Sequence, residues 1–326
     1  MRPARGWKLP DIYPGQKRFA FSIVDDTDNA TVENVKPVYD LLTSLGFRVT
    51  KTVWVYPSRD RFSGQCLRDP PYLDFVRQLS RDGHEIALHN VGSGAFSRQE
   101  IRDGIELFNE LLGFYPQLHV NHVSNPDNLY WRPTVRFRRP VSWLYWMVQI
   151  FMRCVHGRPL KVTAGESPDS MHYWGDVCQQ HIRYVRNLTF SGIDTLAADP
   201  RMPYHDPRKP LVRNWFSSAD GHTVDHFRSL LSDANIDVLE SQSGTSIVYT
   251  HFTDGFVQNG KVDPGFAEGM TRLAKRPGWY VPTSEVLDYL GSSGPPGFHD
   301  VSNGYLRRLE IRWLAERMMN YLRYRR

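Results

Sequence analysis

The chain has 326 residues, 40% of them hydrophobic and 23% charged, with a net charge of +5 and a pI near 9.0. Those values are ordinary for a globular protein with a substantial core, either one large α/β domain or two small ones. Three widely spaced cysteines, Cys66, Cys154 and Cys178, exclude a disulfide scaffold and suit a reducing compartment. Residues 1–10 carry no apolar run behind their basic residues, and no stretch reaches about 18 uninterrupted apolar residues. Neither a secretory signal nor an ordinary transmembrane helix is expected, which points to the cytoplasm.

Residues 19–28 read Phe-Ala-Phe-Ser-Ile-Val-Asp-Asp-Thr-Asp, a buried strand running into Asp25, Asp26 and Asp28. Like charges at the end of a buried strand repel. A shared metal site relieves that repulsion, and so does a helix N-cap with an acidic first turn. Apolar spacing predicts a helix over 31–45 closed by Gly46, with Pro37 starting its main part after one separate turn. Residues 48–55 read as a strand, 72–80 as an amphipathic helix, 84–89 as a strand, 98–112 as a helix stopped by Gly113, and 118–122 as a strand. This alternation implies a parallel sheet with right-handed crossovers.

The pattern then changes. Residues 136–153 form an apolar, aromatic run flanked by arginines and too short to span a bilayer. An interfacial helix, a dimer contact and a buried cap are all open there. Residues 174–184 read as helix and 185–190 as strand, while 197–223, dense in Pro, His, Asp and Gly, read as a long irregular loop. Further on come a helix over 223–231, a strand over 246–251, a helix over 266–273, a strand over 278–281, and a helix over 284–290 capped by Ser284. The expected organisation is one domain over 1–290, with 131–223 as an insertion or loop region, a linker over 291–304 and a basic amphipathic helix over 305–326.

Asp25 and Asp26, His89, His122 and His251 each stand at the C-terminal end of an expected strand, the face on which a parallel barrel gathers its active site. One carboxylate and two imidazoles suit zinc with an open position, leaving a second carboxylate as base and a further histidine as acid.

Phe21-Ser-Ile-Val-Asp-Asp26, Gly83-His-Glu-Ile-Ala-Leu-His89 and Val248-Tyr-Thr-His251 resemble motifs of the polysaccharide deacetylase family, carbohydrate esterases that remove N-acetyl or O-acetyl groups. Residues 38–54 and 278–290 resemble the same family, so the likeness covers 19–125 and 245–290. It implies a distorted parallel (β/α) barrel of the polysaccharide deacetylase type, here with an inserted aromatic and basic segment and a C-terminal basic helix. It also implies a divalent metal, usually zinc, and an acetylated sugar or glycan substrate. Asp25 would be the base, Asp26 and His89 metal ligands, and His251 the acid protonating the leaving amine.

The chain departs from the family at Thr27, where glycine is usual, and at Ser93, where a second ligand histidine is expected. His122 is the first substitute for that ligand and Asp28 the second; a hydrogen-bonded rim role for His122 is equally open. Arg201-Met-Pro-Tyr204 matches the family's Arg-x-Pro-Tyr literally but falls far later than usual, which favours a chance match or a proline turn. His84 precedes a strand and reads as structural. Two alternatives stand beside the hydrolase: a non-catalytic glycan binder stacking sugars on Trp131, Trp174, Tyr204 and Trp215, and a divergent metal-dependent amidohydrolase with a non-acetyl substrate. Segments 136–153 and 305–326 could seat the protein on an anionic membrane surface. Nucleic acid is not an expected partner, and an oligomer is open.

Overall fold

A computed structural model describes residues 13–123, 125–156 and 163–324; the expected lack of a secretory signal at 1–10 lies outside them. The first half alternates β1 (Phe19–Asp25), α1 (Val32–Ser44), β2 (Thr50–Val53), α2 (Pro70–Arg81), β3 (Glu85–Leu88), α3 (Arg98–Leu112) and β4 (Leu118–His119). A connection carrying α4 (Pro133–Arg136), α5 (Val141–His156) and α6 (Gly175–His181) leads to β5 (Tyr184–Phe190). Then follow α7 (Thr195–Ala198), β6 (Asn214–Asp220), α8 (Val224–Leu230), α9 (Asp233–Ser241) and β7 (Thr245–Thr250). The hairpin β8 (Val257–Gln258) and β9 (Lys261–Val262), α10 (Pro264–Ala274), β10 (Gly278–Trp279), α11 (Thr283–Ser293) and α12 (Asn303–Tyr324) complete the chain.

Strands β1 to β7 are ordered as in the sequence, all parallel, and β7 returns to pair with β1 from Ala20–Thr245 to Asp25–Thr250. Seven strands thus close into a barrel surrounded by helices. β10 pairs only with the start of β1, at Phe19–Gly278 and Ala20–Trp279. Every residue of β1 is buried, as expected where both faces of a parallel strand are covered.

Three local expectations change. Pro37 lies inside a single continuous α1, because Thr31 and Asn34 form a capping box that starts the helix earlier. The stretch 197–223 is not one irregular loop: it contains β6, a full barrel strand between β5 and β7. Its Asn-Trp-Phe-Ser-Ser-Ala-Asp sequence hides this, because buried Ser217 and Ser218 bond Asp199 and Thr189 rather than facing water. Ser284 does not cap α11; its hydroxyl and backbone N–H donate to Glu85. Helix α9, capped by Ser232, completes the wall between β6 and β7.

Helix α12 is seated on the barrel. Leu306, Leu309 and Trp313 are buried, Trp313 stacks on Phe137 at 5.0 Å, and Tyr305 donates to Asp199 at 2.6 Å. The buried Arg138 guanidinium joins Asp206 to Glu310 of α12, at 2.6 and 3.0 Å. No helix of the described residues is long and apolar enough to cross a membrane.

Candidate active site

The acidic run splits by side-chain alternation. Asp25 is in register with Lys51 of β2, and the two share a face turned toward α1. The Asp25 carboxylate accepts from Lys51 Nζ and the Tyr39 hydroxyl, both at 2.8 Å, and from the Phe252 N–H at 2.9 Å. Burial alone would lower the Lys51 ammonium, but the Asp25 charge more than offsets it and holds it raised. Thr27 faces the same way, its hydroxyl 2.9 Å from Tyr72 on α2.

Asp26 and Asp28 turn inward. Arg186 of β5, a strand that is no neighbour of β1, reaches across the barrel mouth and places Nη2 2.9 Å from Asp26 Oδ2. Its guanidinium also lies over the Tyr249 ring at 4.0 Å. Asp28 Oδ1 stands 3.2 Å from His89 Nε2 and 3.3 Å from His122 Nε2, while Oδ2 stands 3.3 Å from His251 Nε2.

The hydrogen-bond network fixes both ligand-type imidazoles. His89 Nδ1 is 3.0 Å from the Val120 carbonyl, which only accepts, so Nδ1 carries a proton, and the neutral ring has its lone pair at Nε2. His122 Nδ1 is 3.0 Å from Asn125 Oδ1. Asn125 is itself oriented, donating from Nδ2 to the Gly92 carbonyl and accepting at Oδ1 from the Gly94 N–H. His122 therefore also carries a proton at Nδ1, and its neutral ring has the lone pair at Nε2, facing inward. Asn90 accepts the His122 N–H and donates to Asp127, whose carboxyl burial pushes up to about 6.

Asp28 Oδ1, His89 Nε2 and His122 Nε2 are buried and find no hydrogen-bond partner among the described residues. Three acceptors facing one another are costly unless a cation lies between them. The residues fit a divalent metal. Ligand atoms about 2.0–2.1 Å from a tetrahedral zinc stand roughly 3.3 Å apart, and both Asp28-to-histidine separations match. The carboxylate and two imidazoles leave a coordination position open. Burial alone would lower the His251 imidazolium, yet the carboxylates of Asp28 and Asp26 hold its pKa above the usual value.

The structure thus gathers His89, His122 and His251 around Asp28, with Asp26 beside them on Arg186 and Asp25 on the opposite face. Ser93 lies apart from these ligands, donating to Asp60 at 2.6 Å. His84 is structural: it accepts the Val49 N–H at Nδ1, and burial lowers it to about 4. Of the four aromatics expected to stack on sugars, Trp174, Tyr204 and Trp215 are buried in the core, and Arg136 covers Trp131 at 3.7 Å; that glycan platform does not exist. Arg201 bonds the Phe298 carbonyl, and Arg186 is the arginine at the mouth. An arginine inside the β-rich run 184–190 was the available signal. A second Asp–His–His group, Asp220, His222 and His226, is only half-buried, and Asp220 also meets Arg317 at 3.4 Å.

No family model and no curated protein matches the sequence. Among solved structures, a protein described as a polysaccharide deacetylase from Pseudomonas aeruginosa PAO1 is 12% identical, with a TM-score of 0.51, over 89% of this chain and 96% of that one. One so described from Mycobacterium smegmatis is 11% identical, with a TM-score of 0.47, over 88% and 94%. A family 4 acetyl xylan esterase from Clostridium thermocellum, in complex with cobalt, is 14% identical, with a TM-score of 0.40, over 82% and 90%. With seven parallel strands closed in sequence order, the chain has the (β/α) barrel fold of the polysaccharide deacetylases.

Proposed function

We propose that the chain is a metal-dependent hydrolase that removes an acetyl or similar acyl group from a sugar or glycan precursor. The observation that carries this reading is the trio of buried lone pairs on Asp28, His89 and His122 at the mouth of a deacetylase-type barrel. These three residues would hold the metal, zinc by donor set. A bound metal supplies Lewis-acid polarisation of the acyl oxygen and a more acidic water.

Asp26, oriented by Arg186, accepts the proton of the attacking water as its oxygen bonds to the acyl carbon. His251 donates its proton to the leaving nitrogen or oxygen as the acyl bond breaks, giving the free carboxylic acid and the deacylated sugar. Asp25 ties β1 to β2 and α1. The roles implied by the family motif therefore move along the run: the base from Asp25 to Asp26, the ligand carboxylate from Asp26 to Asp28. The buried free thiols of Cys66 and Cys178 support a cytoplasmic setting.

Metal analysis after dialysis, with hydrolysis of acetylated chitooligosaccharides and acetylxylan, tests the assignment. Wild type is expected to retain about one tightly held zinc by this ligand count. Asp28→Ala should lose metal and turnover together, and Asp26→Asn should keep metal and lose turnover. An Asp28→Ala protein that holds zinc like wild type refutes the centre.

A further inference from the structure

We propose that α5 and the start of α12 form a docking face for an anionic phospholipid membrane, with lipid phosphates entering an arginine-lined cavity. This docking stands independently of the hydrolase reading. The cavity, about 460 Å³, lies where α5 and α12 begin, and is lined by Arg138, Arg139, Arg208, Arg307, Ser142 and Asn303 among others. Arg138 is neutralised by Asp206 and Glu310. Arg139, Arg208 and Arg307 are exposed and make no ion pair among the described residues. Ser142 and Asn303 belong to the first turns of α5 and α12, so two positive helix ends add to three uncompensated guanidinium groups. A phosphate monoanion or diester fits that environment.

The apolar part of the face begins one residue beyond the cavity. Trp143 is 56% exposed and Trp146 43%, and Leu144, Met147 and Val148 beside them are exposed as well. Tryptophans next to arginines are the composition of an interfacial helix, burying rings among acyl chains while cations stay with headgroups. A second copy of the chain is the poorer occupant, since a two-fold contact would bring two uncompensated arginine rims together. Free phosphate alone would leave the tryptophans in water. Helix α12 runs ten residues, roughly 15 Å, from Arg307 to Arg317, which touches Asp220 at the end of β6.

Co-sedimentation of the full chain with phosphatidylglycerol/phosphatidylcholine vesicles, and with phosphatidylcholine alone, at low salt tests this. Wild type should bind only the anionic vesicles. Arg139→Gln/Arg208→Gln/Arg307→Gln should bind about 100-fold more weakly, and Trp143→Ser/Trp146→Ser about tenfold or more, both with unchanged circular dichroism and melting. No vesicle binding by wild type overturns the proposal. Thermal protection by inorganic diphosphate without vesicle binding overturns it in favour of a soluble phosphate ligand. A dimer by light scattering that the tryptophan variant abolishes, without vesicle binding, overturns it in favour of self-association.

Discussion

Replacing Asp25 by asparagine separates a structural carboxylate from a catalytic one. In the fold Asp25 and Lys51 are fully buried, their charged atoms 2.8 Å apart. Asp25→Asn keeps one oxygen, which can serve either the Phe252 N–H at Oδ1 or Tyr39 at Oδ2 but not both, and it strands the Lys51 ammonium without a counter-charge. Breaking one side of a buried ion pair costs about 3–5 kcal/mol. For a chain of this size, with melting shifts of about 2 °C per kcal/mol, the melting temperature should fall by roughly 6–10 °C. Asp25→Asn/Lys51→Met removes the stranded charge as well and should recover most of that loss. Thermal and urea unfolding followed by circular dichroism, with zinc content measured on the same samples, reads out both effects. If Asp25→Asn melts like wild type, keeps its metal and loses turnover, the reasoning fails. Asp25 is then the proton acceptor that the family motif implies.

Two further outcomes follow from contacts around the site. Asn125→Ala removes the acceptor that holds the His122 Nδ1 proton, so metal affinity should fall about 10- to 100-fold in chelator competition; unchanged affinity would show that His122 is oriented otherwise. His84 is held near 4, below its unfolded value, so the fold favours its neutral form. That contribution is complete above about pH 6.5 and lost as pH falls toward 4. Between pH 7 and 5 it amounts to roughly 2 kcal/mol. His84→Gln should lose correspondingly less stability than wild type over that step in urea melts, and an identical loss would rule His84 out.

Much of the barrel was legible because strands such as Phe-Ala-Phe-Ser-Ile-Val and Ser-Ile-Val-Tyr-Thr carry a β-branched, aromatic signal that burial reinforces. The histidines ending those runs pointed to one face. What the sequence hid was β6, whose serines satisfy their hydroxyls inside the fold rather than in water. It also hid which aspartate faces inward, although the period of two could have separated them. Asp25 and Thr27 turn to the helices and meet Tyr39 and Tyr72, while Asp26 and Asp28 turn into the mouth. Arg186 escaped notice for a different reason: its partner lies across the barrel, 160 positions away in sequence.

Three carboxylates buried within four residues need three separate neutralisations, and the kind of partner each has is informative. Asp25 has Lys51 and Asp26 has Arg186, both permanent cations supplied by the chain. Among the described residues Asp28 has no lysine or arginine paired with it; it faces three imidazoles, two of which have their other nitrogen committed to donating outward. Adding a fixed cation there would have been chemically simple, as Lys51 and Arg186 demonstrate. Its absence at the one carboxylate that shares an oxygen with two inward-turned lone pairs supports an exchangeable cation at that position. The same reasoning accounts for Ser93: once His122 enters from the turn after β4, a histidine four residues beyond His89 is redundant, and position 93 is free to bond Asp60.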